Sequence, residues 1–347
     1  MHGQARIGQS LGQTSLALEI VSVALALGVV SSRGTSCTTA TEERIRGSEP
    51  SQRGSTVPLL GLQRDVSDAL AVPVLSGGTA AGVDRPLDEL SAAAASYLAT
   101  RTGRIGVAVV VPSRNAVYGW NADELFPLAS VAKVAIMTTL LHHAQSEQLS
   151  LTEDEHALLE RMITVSDNDA ASALWSQIGG GAEVEAYLRS IDLFAMYLNA
   201  DDAWGSSSAS ARDVARLLAK LAAGEILGEP FRQEALDLLS RVVPEQRWGV
   251  TAGLSEEWLG GGTIGIKNGW YPAENGWRVH SAAVILPTDV RRGYVIVILT
   301  DNQPSMDAGT EAIEQVAGLL HRDLQPLILG AYDSAPLINV DGRRTGR

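Results

Sequence analysis

A serine and a lysine stand three positions apart in a segment that is otherwise apolar. Ser130 and Lys133 are surrounded by Val131, Ala132 and the run Val-Ala-Ile-Met at 134–137. Side chains three positions apart on a helix share a face and can touch. A lysine in apolar surroundings is desolvated, which lowers the pKa of its amine and lets it act as a base toward the hydroxyl. The alternative is a serine that only caps a helix, followed by a solvated lysine.

Two further polar triplets follow along the chain. In Ser166-Asp167-Asn168 the hydroxyl could pass a proton and the amide could hold a substrate amide, although all three residue types also favour helix N-caps. In Lys267-Asn268-Gly269 the Asn-Gly step is typical of a hairpin turn. A second Asn-Gly, Asn275-Gly276, is better placed to join two long strands. We therefore expect Lys267 within a strand, where it supplies fixed positive charge for a substrate carboxylate.

The elements that must position these residues predict an α+β fold. The predicted strands are 105–111, 116–120, 263–266, 279–286 and 294–300, and the predicted helices are 88–100, 130–145, 153–164, 169–177, 183–190, 211–223, 231–242 and 308–322. The simplest closure is an antiparallel sheet of about five strands from both ends of the folded region, flanked by helices, with an inserted all-helical lobe. A site is expected in the cleft between lobe and sheet.

The N-terminus has the composition of an export signal. Residues 16–30 are mostly apolar, Arg6 lies upstream, and small polar residues lead to Cys37. This order is typical of a secretory signal peptide, and the run is short for a membrane span. Gly34-Thr35-Ser36-Cys37 is also similar to the cleavage box of bacterial lipoproteins, in which the cysteine is lipidated. The alternative is a wrongly assigned start followed by a disordered N-terminus.

Composition along the chain divides it into four predicted parts. Residues 1–37 form a signal peptide, of the secretory or the lipoprotein type, and 38–85, rich in Ser, Thr, Gly and charged residues, form a disordered tether. The folded domain covers 86–326, and 327–347 form a C-terminal tail. We therefore expect an exported protein, extracellular or associated with the cell envelope, with the N-terminus as its membrane tether if Cys37 carries lipid.

Overall composition narrows the function classes. Of 347 residues, 45% are hydrophobic and 19% are charged, so a large buried core can form. The net charge of −13 opposes binding to phosphate backbones, so nucleic acid is not an expected partner. The six histidines contain no H-E-x-x-H, and a single cysteine cannot form a C-x-x-C pair, so no metal or cofactor is expected.

The three motifs in this order resemble those of the penicillin-recognising serine hydrolases, which include the class A β-lactamases and the penicillin-binding D,D-peptidases. Phe126-Pro127-Leu128-Ala129 and Ala170-Ala171 fit the same pattern, and the resemblance covers about 87–322. It implies three catalytic residues: the acylated nucleophile, its general base and the proton donor to the leaving nitrogen, which are Ser130, Lys133 and Ser166.

The resemblance also implies a set of substrate-binding groups. Asn168 would orient the acyl side chain, and Lys267, together with Asn268 and Gly269, would bind the substrate carboxylate. Trp270 would complete the oxyanion hole with its backbone N–H, beside the N–H of the nucleophile. The expected partner is a small β-lactam or a cell-wall peptide.

Two features depart from the family pattern. Asn268 stands where threonine or serine is usual, which weakens the expected carboxylate contact. The class A loop E-x-x-L-N, whose glutamate positions the deacylating water, is absent between the second and third motifs. The corresponding stretch reads Leu198-Asn199-Ala200-Asp201-Asp202, so the loop is shortened, and Asp201 or Asp202 is the candidate for supporting deacylation.

Three functions are compatible with these features. The first is a β-lactamase-like serine hydrolase that is acylated on Ser130 and releases the acyl group to water. The second is a D,D-peptidase or another amide or ester hydrolase that deacylates β-lactams slowly. The third is a non-catalytic exported binding protein on the same fold. The intact hydroxyls and lysines of the three motifs argue against the third.

Overall fold

Two β-sheets organise the described residues, 82–199 and 203–333, in a computed structural model of the protein. In chain order the strands are β1 (Val83–Pro86), β2 (Arg104–Val111), β3 (Ala116–Trp120), β4 (Leu125–Pro127), β5 (Met196–Tyr197), β6 (Ser208–Ser210), β7 (Thr263–Ala273), β8 (Gly276–Leu286) and β9 (Tyr294–Asp301). The helices are α1 (Ala92–Ala99), α2 (Lys133–Ser146), α3 (Glu153–Thr164), α4 (Asn168–Gln177), α5 (Gly180–Ser190), α6 (Ala211–Ala223), α7 (Phe231–Ser240), α8 (Glu256–Leu259) and α9 (Met306–Asp333).

The larger sheet has six strands in the order β1-β3-β2-β9-β8-β7. Only β1 and β3 pair in parallel, and the other neighbours are antiparallel. The predicted α+β class is therefore confirmed, but the expected count of about five strands omits β1. Its first three residues lie within the segment predicted as a tether, and Pro86 is the first residue of the predicted domain. Its four side chains are all exposed at the sheet edge, so it carries no apolar alternation that could mark it as a strand.

The inserted helical lobe predicted from the middle of the chain is present. Helix α2 lies at its centre, in contact with α3, α4, α5 and α7, and ten of its fourteen residues are buried. Helix α6 packs against β2 and β9, whereas α9 packs against β8 and α1. The start of α2, which carries Lys133, is thereby held in the interior of the domain.

Helix α9 continues beyond the predicted end of the domain. Residues 327–333, which were predicted as part of a tail, are helical. Leu320, Leu324 and Ile328 are all buried at four-residue spacing, so the apolar stripe of the helix extends past Pro326.

The hairpin of β7 and β8 shows which of the two Asn-Gly steps forms the turn. Ala273 pairs with Gly276, so the turn falls at Glu274-Asn275, and Gly276 adopts a φ of +114° that favours glycine. Lys267, Asn268 and Gly269 consequently lie inside β7, as the second reading of the sequence predicted.

A small sheet in the order β4-β6-β5 supports the segment before Ser130. Its strands have only two or three residues, too few for a detectable alternation pattern. It also closes the loop 198–207, because β5 ends at Tyr197 and β6 begins at Ser208. Asp201 and Asp202 of this loop lie outside the described residues.

The predicted signal peptide, Cys37 and nearly all of the predicted tether also lie outside the described residues. Within 82–199 and 203–333, no helix is both long enough and apolar enough to cross a membrane.

Candidate active site

Ser130 lies in a short turn that precedes the first long helix of the lobe. Residues Ala129–Ala132 form a 3₁₀ turn, and α2 begins only at Lys133, three residues later than the sequence predicted. Ala129 has a φ of +49°, which turns the chain sharply before the serine. The Ser130 side chain is half-buried and lines a cavity of about 270 Å³.

Strand β7 passes directly against this turn because Gly269 has no side chain. A Cβ at residue 269 would lie 2.8 Å from the Ser130 nitrogen and 3.0 Å from both the Leu128 oxygen and the Val131 nitrogen. All three atoms are backbone, so they cannot move aside as a flexible side chain would. The glycine of the third motif therefore permits a close approach that brings the Ser130 N–H beside Gly269 and the next residue, Trp270.

Lys133 is fully buried, as its apolar surroundings in the sequence predicted. Its Nζ donates to the Ser166 carbonyl at 2.6 Å, the Ser166 hydroxyl at 3.1 Å and Asn168 Oδ1 at 2.8 Å. Burial lowers the pKa of Lys133 to about 7, and the nearby Asp167 carboxylate only partly opposes this effect. A substantial fraction of this amine is therefore neutral near pH 7.

No hydrogen bond joins the Ser130 hydroxyl to Lys133 among the described residues, because the amine donates to Ser166 and Asn168 instead. The contact expected from helical spacing is thus not made in this state. Catalytic hydrogen bonds are often long without substrate and tighten when it binds.

The Ser166 hydroxyl bridges the two buried lysines. Lys267 Nζ donates to Ser166 Oγ at 2.9 Å and to the Asn268 carbonyl at 3.1 Å. The nitrogens of Lys133 and Lys267 must therefore lie within 6.0 Å of each other, the sum of their distances to that hydroxyl oxygen. Burial and the charge of Lys133 lower the pKa of Lys267 well below its ordinary value.

Asp167 has the helix-capping role that the sequence offered as the alternative for the second triplet. It is the N-cap of α4, with Oδ1 accepting from the Ala170 N–H at 2.9 Å and Oδ2 accepting from Arg161 Nε and Nη2 at 2.9 and 2.6 Å. Ser166 adopts a φ of +60°, which costs a non-glycine residue about 1 kcal/mol. The three residues therefore have different roles: Asp167 caps the helix, whereas Ser166 and Asn168 contact Lys133.

The side chain of Asn268 does not face the cavity. It is fully buried, and its Nδ2 donates to the carbonyls of Gln246 at 3.0 Å and Trp248 at 2.9 Å. Gln246 in turn donates to the Val165 carbonyl at 3.2 Å, and the Trp248 ring meets Trp270 edge to face at 5.6 Å. The expected carboxylate contact of Asn268 is not available in this arrangement, since its two N–H groups hold the segment that connects β7 to the lobe.

The cavity wall includes residues that the sequence did not single out as a site. It is lined by Ala129, Ser130, Asn168, Trp204, Gly205, Ser206, Trp270 and Tyr271. The Trp204 ring centroid lies 4.8 Å from Lys133 Nζ, and its Nε1 donates to Ser172 Oγ at 3.1 Å. The one feature of the sequence that could have marked Trp204 as a site residue is its position in a Gly- and Ser-rich turn. No group of His, Cys, Asp or Glu in the described ranges is arranged to hold a metal ion.

Comparison with known proteins relates this geometry to a family. The family model described as "Beta-lactamase enzyme family" matches residues 88–155 and 156–324. LppW of Mycobacterium tuberculosis, provisionally named a lipoprotein, is 30% identical over 217 residues, which are 60% of this chain and 66% of LppW. The match thus spans just under two thirds of that relative. The carbapenem-hydrolyzing beta-lactamase KPC of Klebsiella oxytoca is 28% identical over 256 residues, 63% of this chain and 83% of KPC.

A solved structure resembles the fold over 70% of this chain. A mutant of PBP-A, determined as its acyl-enzyme complex with penicillin G, is 25% identical with a TM-score of 0.58, over 70% of this chain and 98% of that chain. The family match, which covers more than half of the sequence, and this fold agree with the order of the three motifs. The chain therefore belongs to the beta-lactamase enzyme family, within the penicillin-recognising serine hydrolases.

Proposed function

We propose that this protein is a serine hydrolase that forms a covalent acyl-enzyme on Ser130 with β-lactams or related amides and esters. The observation that carries the proposal is the Ser166 hydroxyl held between two buried lysines at 3.1 and 2.9 Å, next to the cavity that exposes Ser130. Burying two amines so close together costs free energy, and groups perturbed in this way cluster at functional sites. A serine that only caps a helix, followed by a lysine exposed to solvent, would not produce two buried amines bound to one hydroxyl.

Acylation on Ser130 follows from the protonation states that burial favours. Neutral Lys133 takes the proton of the Ser130 hydroxyl while Oγ attacks the carbonyl carbon, which forms the C–O bond and leaves an oxyanion. The tetrahedral intermediate then collapses by breaking its C–N or C–O bond to the leaving group. Ser166 gives its proton to that group and recovers one from the Lys133 ammonium 3.1 Å away.

The oxyanion needs donors close to the nucleophile. The Ser130 N–H lies beside Gly269, so we assign the oxyanion hole to the N–H groups of Ser130 and Trp270. Losing one such donor typically costs about 3 kcal/mol of transition-state stabilisation.

Release of the acyl group is proposed to be slow. No described residue that lines the cavity is a carboxylate, and the position beside Lys133 is filled by the Trp204 ring. A water in the cavity therefore has no carboxylate base among the described residues. These observations favour the hydrolase that retains its acyl group over one that turns over β-lactams rapidly.

The test is intact-mass measurement after incubation with a labelled penicillin. We expect one adduct that persists for hours and is absent in Ser130→Ala. Rapid hydrolysis of a chromogenic cephalosporin would contradict slow release and favour a β-lactamase. Silence toward the penicillin, the cephalosporin and acyl-ester probes would contradict acylation and leave a non-catalytic binding protein.

The aspartates of the 198–207 loop give a separate prediction. If release proceeds without them, Asp201→Asn and Asp202→Asn should leave the lifetime of the adduct unchanged, measured by mass against time. An adduct that lives more than about tenfold longer in either variant would instead assign water activation to that aspartate.

Acylation should depend on pH through Lys133. The pKa of this amine is lowered to about 7, and only its neutral form can accept the hydroxyl proton. The acylation rate is therefore expected to level off above about pH 8 and to fall about tenfold per unit below about pH 6. The measurement is the rate of adduct formation between pH 5 and 9, followed by intact mass after the reaction is quenched. A rate that rises toward low pH would contradict the assigned base.

We also propose that the protein is exported and tethered to the membrane through lipid on Cys37. The cleavage-box resemblance and the provisional name of LppW support this. Incorporation of labelled palmitate should be lost in Cys37→Ser, and no incorporation in the parent protein would contradict lipidation.

A further inference from the structure

A row of four residues crosses the larger sheet beneath the segment 126–130, which ends at the nucleophile. The row consists of cross-strand neighbours on β2, β9, β8 and β7, namely Gly106, Leu299, His280 and Gly269. Residues directly opposite each other in antiparallel strands point to the same face of the sheet. His280 is the only titratable residue of this row, and it is fully buried.

The segment contacts the sheet directly at both ends of the row, where glycines leave space. A Cβ on Gly106 would lie 2.6 Å from Cε2 of the Phe126 ring. A Cβ on Gly269 would lie 2.8 Å from the Ser130 nitrogen. The middle of the segment therefore lies over the middle of the row, where the imidazole replaces the missing side chains.

The ring of His280 presents a hydrogen-bond donor to this segment. Its Nδ1 accepts the Thr300 N–H at 3.1 Å, so the proton of the neutral ring is on Nε2. Burial lowers the pKa of His280 to about 4, although the Pro127 carbonyl beside the ring opposes this effect. Nε2 has no partner with hydrogen-bond geometry among the described residues. A buried donor left in this state is a mark of a strained or functional position.

We infer that His280 is a positioning residue for acylation: its Nε2–H attracts the Pro127 carbonyl and thereby fixes the distance between the segment and β7. The inference rests on the proposed acylation of Ser130. Because Pro127 comes three residues before the nucleophile, a displacement there is passed on to the Ser130 N–H and Oγ. A misplacement of about 1 Å near the reacting groups can lower a rate about a hundredfold.

Three variants separate the roles of the two ring nitrogens. His280→Phe removes both nitrogens, the amide of His280→Gln can replace the Nε2–H donor, and the amide oxygen of His280→Asn can replace only the Nδ1 acceptor. Adduct formation is followed by intact mass over a range of penicillin concentrations. We expect His280→Phe and His280→Asn to lose at least about tenfold in the saturating rate, with the half-saturating concentration unchanged. His280→Gln should stay within about threefold of the parent protein.

His321 provides a matched control because it is another fully buried histidine. Its Nδ1 accepts from the Tyr294 hydroxyl at 2.6 Å and its Nε2 donates to the Val250 carbonyl at 2.8 Å, so neither partner belongs to the segment 126–130. His321→Phe should lower the melting temperature and leave the saturating rate unchanged. A folded His280→Phe protein with the parental rate would overturn the positioning role, as would equal losses in His280→Phe and His280→Gln.

A spectroscopic measurement tests the parent protein without relying on the activity of variants. Ring-nitrogen NMR shifts at pH 7 report which nitrogen of each histidine carries a proton, and the signal missing from His280→Gln is that of His280. We expect a neutral ring protonated on Nε2. A proton on Nδ1, or on both nitrogens, would overturn the inference and leave the proposed function intact. No Ser130 adduct in the parent protein would overturn both.

Discussion

A Lys133→Met variant is expected to be acylated by labelled penicillin about a thousandfold more slowly than the parent protein. Methionine has an unbranched side chain of similar length but lacks the amine that we assign as the acceptor of the Ser130 proton. The measurement is the rate of adduct formation by intact mass, at pH 8, where the Lys133 amine of the parent is mostly neutral.

A matched control is available because the sequence has three lysines. Lys220 lies on α6 and forms an ion pair with Glu225 at 3.5 Å, so Lys220→Met should acylate at the parental rate. Thermal melts of both variants separate loss of chemistry from loss of fold. A folded Lys133→Met protein that acylates at the parental rate would exclude Lys133 as the base.

A Gly269→Ala variant is expected to lose both stability and acylation. The new methyl group would lie 2.8 Å from the Ser130 nitrogen and 3.0 Å from two further backbone atoms, so either β7 or the turn must shift. Overpacking of this kind typically costs about 2 kcal/mol of unfolding free energy. A shift of about 1 Å between nucleophile and oxyanion hole lowers the acylation rate by about a hundredfold.

Gly318 provides the control for this substitution. A Cβ at residue 318, within α9, would meet no atom within 4 Å, so Gly318→Ala should stabilise the protein by about 0.5–1 kcal/mol and leave acylation unchanged. Denaturant unfolding and adduct formation are measured for both variants. Parental acylation by Gly269→Ala would show that the close approach of β7 is not required.

Most helices and long strands could be predicted from the sequence because their signals are local. The helix 153–164 was predicted with the bounds observed for α3, whose Thr152 and Glu155 form a capping box. Helix 211–223 likewise coincides with α6, which has Ser210 at its N-cap and Gly224 at its C-cap. Short or exposed strands such as β1 and β5 escaped prediction because they bury no periodic apolar face.

The direction of the site side chains could not be predicted, since their partners are distant in sequence. Lys133 bonds to Ser166, 33 positions away, and Lys267 reaches the same hydroxyl across 101 positions. Asn268 was expected to face the substrate, but its amide holds two carbonyls of the 244–248 segment. The contact between the Trp204 ring and Lys133 could not be predicted either, because it joins a loop and a helix that are far apart in the chain.

The sequence by itself thus determined which groups are present and which elements carry them, because turn chemistry and apolar periodicity act over a few residues. Only the tertiary structure decided that two lysines share one hydroxyl and that the Asn268 side chain turns away from the cavity. These outcomes depend on packing between strands and helices far apart in the chain, where burial decides which polar atoms must find each other.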